Sequence, residues 1–153
     1  MRKFELTTDT KMRFGKKLFR IKALIDFGNV KAGEKGGYIE KEENLSQCGN
    51  AWVYGNAEVC GNAWVCGNAE VCGNAKVYGN ADYATAKGFG SEYRTTTFFK
   101  LKDSNEIGVR CGCFYGTLKE FKEKVKETHG ETKKAKEYLM LADLMEYRFS
   151  EEK

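Results

Sequence analysis

Residues 48–83 repeat one six-residue unit and read CGNAWV, YGNAEV, CGNAWV, CGNAEV, CGNAKV and YGNADY in order. An α-helix turns once in about 3.6 residues, so a six-residue period would scatter the alanines and valines around its surface. On a β-strand, the Ala and Val of each unit lie two residues apart and therefore point to the same side. Gly and Asn, which precede each short strand, tolerate the left-handed backbone angles that a sharp corner requires. The repeat therefore predicts a parallel β-helix of triangular section, with one unit on each side.

The residue between Ala and Val varies from unit to unit, and on a strand it points away from the core. We therefore expect the variable residues to face water: Trp52, Glu58, Trp64, Glu70, Lys76 and Asp82. Three units per coil place residues eighteen positions apart next to each other, so Glu58 should pair with Lys76 and Trp52 with Glu70. Because exposed tryptophans are costly and Trp is a favoured interface residue, we expect Trp52 and Trp64 at an interface. That interface would join copies of this chain in a dimer or trimer, or bind a different partner.

The predicted fold class is mainly β, a short parallel β-helix for which we expect the left-handed form, and it divides the chain into three parts. An N-terminal β cap covers residues 1–35, where alternating apolar and charged residues predict short strands around a turn at Gly15. The β-helix covers residues 36–86, since the six-residue register extends back to Leu45 and Ile39. Residues 84–94 lose the register and are predicted as an exit loop.

A C-terminal unit covers residues 95–153, with a hairpin followed by two helices. The runs TTTFFKLK (95–102) and IGVRCGCFY (107–115) flank Asp-Ser-Asn-Glu, a hairpin signature. Thr117 and Glu120 form a capping-box pattern that opens a helix, which should end at His129-Gly130. Apolar residues at helical spacing predict a final helix from about Thr132 to Phe149.

Positive charge is concentrated at the front of the chain, where residues 1–37 hold ten Lys and Arg against four Asp and Glu. Arg13, Lys16, Lys17 and Arg20 form either a solvated face or a phosphate-binding patch. The whole chain carries a net charge of only +4, with alternating signs, so binding to DNA or RNA is not expected. The apolar runs are too short to cross a membrane and the N-terminus does not resemble a signal peptide, so we expect a cytoplasmic protein without membrane contact.

The cysteines and the single histidine suggest metal or nucleophile chemistry, but their predicted positions argue against it. Four of the six cysteines occupy three different corners of the predicted coil, too far apart to ligate one ion. We expect free thiols, no metal and no cofactor. Cys111, Cys113 and His129 would suit a nucleophile with its base or half a metal site. We favour core packing for the two thiols and a helix C-terminus for His129.

The repeats resemble the hexapeptide repeats of left-handed β-helix proteins, a class that includes acyltransferases and gamma-type carbonic anhydrases. Those enzymes use histidines in or between their coils, and the six-residue units of this chain contain none. Over most of its length, including LFRIKALIDFGNVKAGEKGGYIEKEENLS (18–46) and TTTFFKLK, the chain is similar to small hexapeptide-repeat proteins of phages and prophages. That resemblance implies a mobile-element setting in a bacterial cell.

Three functions are compatible with these features. The favoured hypothesis is a phage-type, non-enzymatic binding protein that antagonises a host factor, as an anti-CRISPR-like or other anti-defence inhibitor. It would bind a host protein or sequester a small nucleotide, with contact candidates Trp52, Trp64, Arg13, Lys16, Lys17 and Arg20. The alternatives are an acyltransferase with His129 as its base and a β-helical structural polymer or scaffold.

Overall fold

A computed structural model describes residues 2–90, 92–102, 104–112 and 114–150 of the chain. The described residues form eleven strands and two α-helices: β1 (Phe4–Arg13), β2 (Lys16–Ala23), β3 (Lys35–Ile39), β4 (Trp52–Val53), β5 (Glu58–Val59), β6 (Glu70–Val71), β7 (Lys76–Val77), β8 (Tyr83–Phe89), β9 (Arg94–Lys100), β10 (Ile107–Cys111), β11 (Phe114–Thr117), α1 (Leu118–His129) and α2 (Lys133–Arg148). Short 3-10 turns lie at Glu42–Asn44 and Asn80–Asp82. Within this part of the chain, neither helix is long and apolar enough to cross a membrane.

The strands form three separate sheets. One is five-stranded and mixed, in the order β1-β2-β3-β5-β7. A second is four-stranded and antiparallel, in the order β11-β10-β9-β8, and a third consists of the parallel pair β4 and β6. The predicted fold class, a mainly β parallel β-helix, is wrong: the described chain is a mixed α/β fold whose sheets do not form a solenoid.

The repeated units supply short strands and corners to these sheets. Each strand from β4 to β7 is only two residues long. The predicted eighteen-residue spacing is confirmed, since Glu58 pairs with Lys76 and Trp52 with Glu70 in parallel register. The inward direction of the valines is also confirmed, because Val59 and Val65 are completely buried. The local geometry of the units was therefore predictable, but the assembly of their strands into sheets was not.

The predicted hairpins and helices at the two ends of the chain are confirmed. Strands β1 and β2 pair around Phe14-Gly15, and β9 pairs with β10. Helix α1 begins with the capping box, in which Thr117 Oγ1 accepts a hydrogen bond from the Glu120 amide at 3.2 Å. The exit loop predicted at residues 84–94 is wrong, because most of it belongs to β8 and to the first residue of β9. Ala84 and Ala86 pack against the core between the second sheet and the helices.

Trp52 is buried, contrary to the prediction that it faces water. Its exposed fraction is 0%, whereas that of Trp64 is 54%, so the prediction holds for Trp64 alone. The rings of Phe4 and Phe27 pack edge-on against Trp52, with centroids 6.3 and 5.2 Å away. The N-terminal segment thus covers the outer side of β4.

Glu58 is also completely buried, because the tip of the β1–β2 hairpin folds over it. Its carboxylate lies 2.6 Å from Lys11 Nζ, 2.8 Å from Arg13 Nε and 3.3 Å from Lys102 Nζ. Tyr78 Oη donates a further hydrogen bond at 2.7 Å. Burial alone would raise the pKa of Glu58, but the bonds from Arg13, Lys11 and Tyr78 together lower it to about 2. The predicted pairing partner Lys76 is a strand neighbour, while the ion pairs go to other segments.

Replacing the two tryptophans should separate their roles. Trp52→Ala removes a fully buried ring and should lower the free energy of unfolding by about 3–5 kcal/mol. Trp64→Ala, at an exposed position, should change it by less than about 1 kcal/mol. Urea denaturation of the two variants measures both values. Equal losses for the two variants would contradict the burial of Trp52.

Glu58→Gln should destabilise the fold by about 3 kcal/mol, because it removes the buried charge that pairs with Lys11, Arg13 and Lys102. The pKa of Glu58 is lowered from 4.5 to about 2 in the folded state, so its contribution is present above pH 4.5 and is lost as pH falls towards 2. Urea titrations across this range should therefore show the difference between wild type and Glu58→Gln shrinking as the solution becomes more acidic. The exposed Glu43→Gln is the control and should show no such convergence.

Candidate functional site

A polar cleft of about 400 Å³ lies between the repeated units and the four-stranded sheet. The segment before β3 contributes Gly28 and Asn29, and the repeated units contribute Asn50, Tyr54, Asn68 and Glu70. The second sheet supplies the remaining lining residues: Lys87, Tyr93, Arg94, Thr95, Arg110 and Gly112. We call this site the polar cleft.

Each wall of the polar cleft is fixed by backbone structure. Asn50 and Asn68 occupy the same position in units eighteen residues apart, and the Asn50 amide donates to the Gly67 carbonyl at 3.1 Å. The Glu70 amide donates to Thr97 Oγ1 of β9 at 3.0 Å, which ties the repeat to the second sheet. Arg110 lies opposite Thr97 in the register of β9 and β10. The repeat and the second sheet therefore hold Glu70 and Arg110 next to each other.

The polar cleft has an excess of positive charge. Lys87, Arg94 and Arg110 line it, with Glu70 as the lining carboxylate. Arg94 also forms an ion pair with Glu92, whereas no ion pair to Lys87 is found within the described residues. The guanidinium of Arg94 lies over Gly112, where the Cβ of any larger residue would collide with it. Two guanidinium groups and an ammonium thus converge on one space.

Arg110 carries a buried donor that has no acceptor. Its Nε is inaccessible to solvent and makes no hydrogen bond to the described residues, although Glu70 Oε2 lies 3.6 Å away as an ion-pair partner. Buried polar groups in native proteins are nearly always hydrogen-bonded, so such a donor requires an explanation. The Glu70 carboxylate partly compensates this donor, and a ligand in the polar cleft would meet the 26% of the Arg110 side chain that is exposed rather than Nε.

Two tyrosines add aromatic surface. The guanidinium of Arg110 lies 5.6 Å from the centroid of the Tyr54 ring. Burial, followed by the nearby Glu70 carboxylate, raises the pKa of Tyr54, so its hydroxyl remains protonated at neutral pH. Tyr93 lies at the mouth with 68% of its surface exposed and a φ of 54°, a backbone angle that is rare for a residue with a side chain. The arrangement suits a small anionic molecule with a flat polar group.

The four residues of the predicted basic patch each contact an acidic or aromatic side chain. Arg13 binds Glu58, and Arg20 binds Asp9 at 2.9 Å while its guanidinium lies 4.4 Å from the Tyr38 ring centroid. Lys16 lies 3.7 Å from Glu40, and the Lys17 ammonium lies 5.5 Å from the ring centroid of Phe19. Neither these four residues nor Trp52 and Trp64 line the polar cleft.

Cys111 and His129 line a second cavity of about 200 Å³, together with Tyr138. Thr96 Oγ1 donates to Cys111 Sγ at 3.2 Å, and the ring of His129 stacks on Tyr138 with centroids 6.1 Å apart. Cys111 packs against the apolar core and His129 is the last residue of α1, so both structural predictions are confirmed. The prediction for Cys113 lies outside the described residues.

Sequence reasoning missed Lys87, Tyr93, Arg94 and Arg110. One signal was present, since Arg110 interrupts an otherwise apolar run, IGVRCGCFY, and a charged residue there needs a partner. The other three lie in or beside the segment that was predicted as an exit loop.

Comparison with known proteins gives no family. No protein-family model matches the chain, and no match was found among curated proteins. The resemblance to hexapeptide-repeat β-helix proteins of phages is therefore corrected: neither the fold nor the family comparison agrees with it.

Thiol reactivity should follow burial. The free thiols include exposed Cys48 and buried Cys60 and Cys72. Burial raises the pKa of Cys60 and, against the nearby Arg110, raises that of Cys72 to about 12. Because the thiolate is the reactive form and Cys72 is buried with a raised pKa, brief iodoacetamide treatment at neutral pH should alkylate the exposed Cys48 at least ten-fold faster than Cys72. Peptide mass spectrometry measures the rates, and labelling in urea, where they should converge, is the control.

Proposed function

We propose that the protein is a non-enzymatic binding protein that holds a small nucleotide in the polar cleft. The observation that supports this most strongly is the convergence of Lys87, Arg94 and Arg110 on one cleft, in which Glu70 is the lining carboxylate. In the favoured form of this function, the protein antagonises a host factor by sequestering its nucleotide ligand in the cytoplasm of a bacterial cell.

The cationic groups suit the phosphate of such a ligand. A guanidinium presents a planar fork of donors that matches phosphate oxygens, and Arg94 and Arg110 both line the polar cleft. Lys87, which has no ion-pair partner among the described residues, adds a compact third charge. Glu70 pairs with Arg110 and Glu92 pairs with Arg94, so a surplus of one positive charge is left for the phosphate of a ligand to neutralise.

The remaining lining residues suit a base and a sugar. The exposed ring of Tyr93 at the mouth offers a face on which a base can stack. The side-chain amides of Asn29, Asn50 and Asn68 can both donate and accept hydrogen bonds. A volume of about 400 Å³ lies near the lower end of the range for small-molecule pockets, which suits a mononucleotide better than a long oligonucleotide.

Trp64 supports a second candidate function, the binding of a host protein. Its 54% exposed ring is the large apolar side chain that the repeated units leave uncovered. Tryptophan is among the residues that contribute most to binding energy at protein interfaces. In this form of the proposal, Trp64 contacts a host protein or a second copy of the chain, and the polar cleft is not required.

Calorimetry with related ligands tests the nucleotide proposal. Adenosine monophosphate should bind, while adenosine and inorganic phosphate alone should each bind at least ten-fold more weakly, because each lacks half of the recognised groups. A cyclic dinucleotide tests the size limit. If these ligands and the other three ribonucleoside monophosphates all fail to bind at millimolar concentration, the proposal is wrong.

Variants locate the binding site. Lys87→Gln removes a charge without leaving a carboxylate unpaired in the described structure and should weaken binding of adenosine monophosphate several-fold. Arg110→Lys keeps the charge that faces Glu70 but loses the donor fork, and should weaken binding about ten-fold, as loss of a charge-assisted hydrogen bond implies. Arg148→Ala, at the exposed end of α2, is the matched control and should leave the affinity unchanged.

A further inference from the structure

Tyr93, between β8 and β9, and Arg94, at the start of β9, both line the polar cleft. A tyrosine of α2, Tyr138, contacts the end of β8 next to this segment. We propose that Tyr138 is the positioning residue of the polar cleft and holds this segment in its binding conformation. The inference rests on the proposed function in so far as the cleft is the binding site. We call residues 88–94, of which Ser91 is outside the described structure, the hairpin tip.

Tyr138 is fixed firmly on the helix side. Its side chain is buried, and its ring meets that of Phe121 edge-on with centroids 5.4 Å apart. The ring of His129 stacks on it from the end of α1. The hydroxyl donates to the Phe89 carbonyl at 3.2 Å, at the end of β8. A rigid aromatic side chain thus connects both helices to the backbone of the hairpin tip.

The hairpin tip is weakly held by its own sheet. The register of β8 and β9 shifts between Lys87 and Phe89, and Glu92, Tyr93 and Arg94 are exposed. Tyr93 has positive φ, a conformation that for a residue with a side chain persists only when its surroundings impose it. Support from outside the sheet is therefore needed to hold Tyr93 and Arg94 in place.

Gly90 allows the close approach of Tyr138. A Cβ at position 90 would collide with the Tyr138 hydroxyl, and Gly90 has a φ of 79°, which disfavours any larger residue. Burial raises the pKa of Tyr138 to about 12, so the hydroxyl remains a donor at neutral pH. Cys111 Sγ lies 3.8 Å from this oxygen. The contact between α2 and the hairpin tip thus requires a small residue on one side and a protonated hydroxyl on the other.

Tyr138→Phe tests the proposal because it keeps the ring and removes only the hydroxyl. Without ligand, hydrogen exchange of the described amides in 88–94 should accelerate about five-fold, as loss of a hydrogen bond worth about 1 kcal/mol implies, while exchange in α1 should not change. The affinity for adenosine monophosphate should fall three- to ten-fold. Met145→Leu, on the same buried face of α2, is the control and should alter neither value.

Gly90→Ala disrupts the same contact, because it places a Cβ against the Tyr138 hydroxyl. It should accelerate exchange in the hairpin tip, and the double variant with Tyr138→Phe should lose less affinity than the two single losses combined, because both break one contact. In the wild type, ligand binding should in turn slow exchange near Tyr138 in α2, and this effect should be absent in Tyr138→Phe.

The outcomes separate this inference from the proposed function. Unchanged exchange in the hairpin tip of Tyr138→Phe would overturn the positioning role, whether or not adenosine monophosphate binds. An equal loss of affinity in Met145→Leu would also overturn it, since the effect would then reflect general packing. If exchange accelerates in Tyr138→Phe but no nucleotide binds the wild type, the positioning role is supported and the proposed ligand is wrong.

Discussion

The buried carboxylate of Glu58 is the interaction on which the arrangement of the first sheet depends. An isolated carboxylate removed from water costs several kcal/mol, so this position tolerates Glu only when cations surround it. Lys11 and Arg13 come from the end of β1, and Lys102 comes from the segment after β9. Two segments that are distant in sequence are thus held on one two-residue strand. That strand could not be stable alone, because it buries little surface and pairs few backbone groups.

Other outward side chains of the repeat are also covered by segments from elsewhere in the chain, each by a different partner. Trp52 is covered by aromatic rings from the N-terminal segment and Glu70 by Arg110 of β10. Trp64 lacks such a cover and remains exposed. The repeated units therefore present a series of similar strands, and the segment that packs on each one determines whether its outward residue is core, ion pair or surface. This explains why units with nearly identical sequences differ so much in burial.

Local patterns predicted local structure well. The direction of Val59 and Val65, the pairing of Glu58 with Lys76 and the capping box at Thr117 all follow from strand or helix geometry within a few residues or one repeat period. The assembly of the strands could not be read in this way. The contact between Arg13 and Glu58 spans 45 positions, and no periodicity signals it. The β-helix is wrong because the repeat determines only the pairing of β4 with β6 and of β5 with β7, whereas segments outside the repeat supply β1, β2 and the four-stranded sheet.

The sequence does not predict the polar cleft for a related reason, since the cleft forms where the repeated units meet the four-stranded antiparallel sheet. Thr97 and the isolated bridge between Ala75 and Leu101 join the two, and Phe99 of β9 packs in the core of the repeat. On the repeat side, the corners contribute asparagines, which suit the turns. Apolar side chains packed against these amides would deprive them of hydrogen bonds. On the sheet side, Lys87 of β8 and Arg94 of β9 lie at or near the hairpin tip, whose position depends on tertiary contacts. A gap with polar walls on both sides cannot close by hydrophobic packing, so water or a polar ligand must fill it.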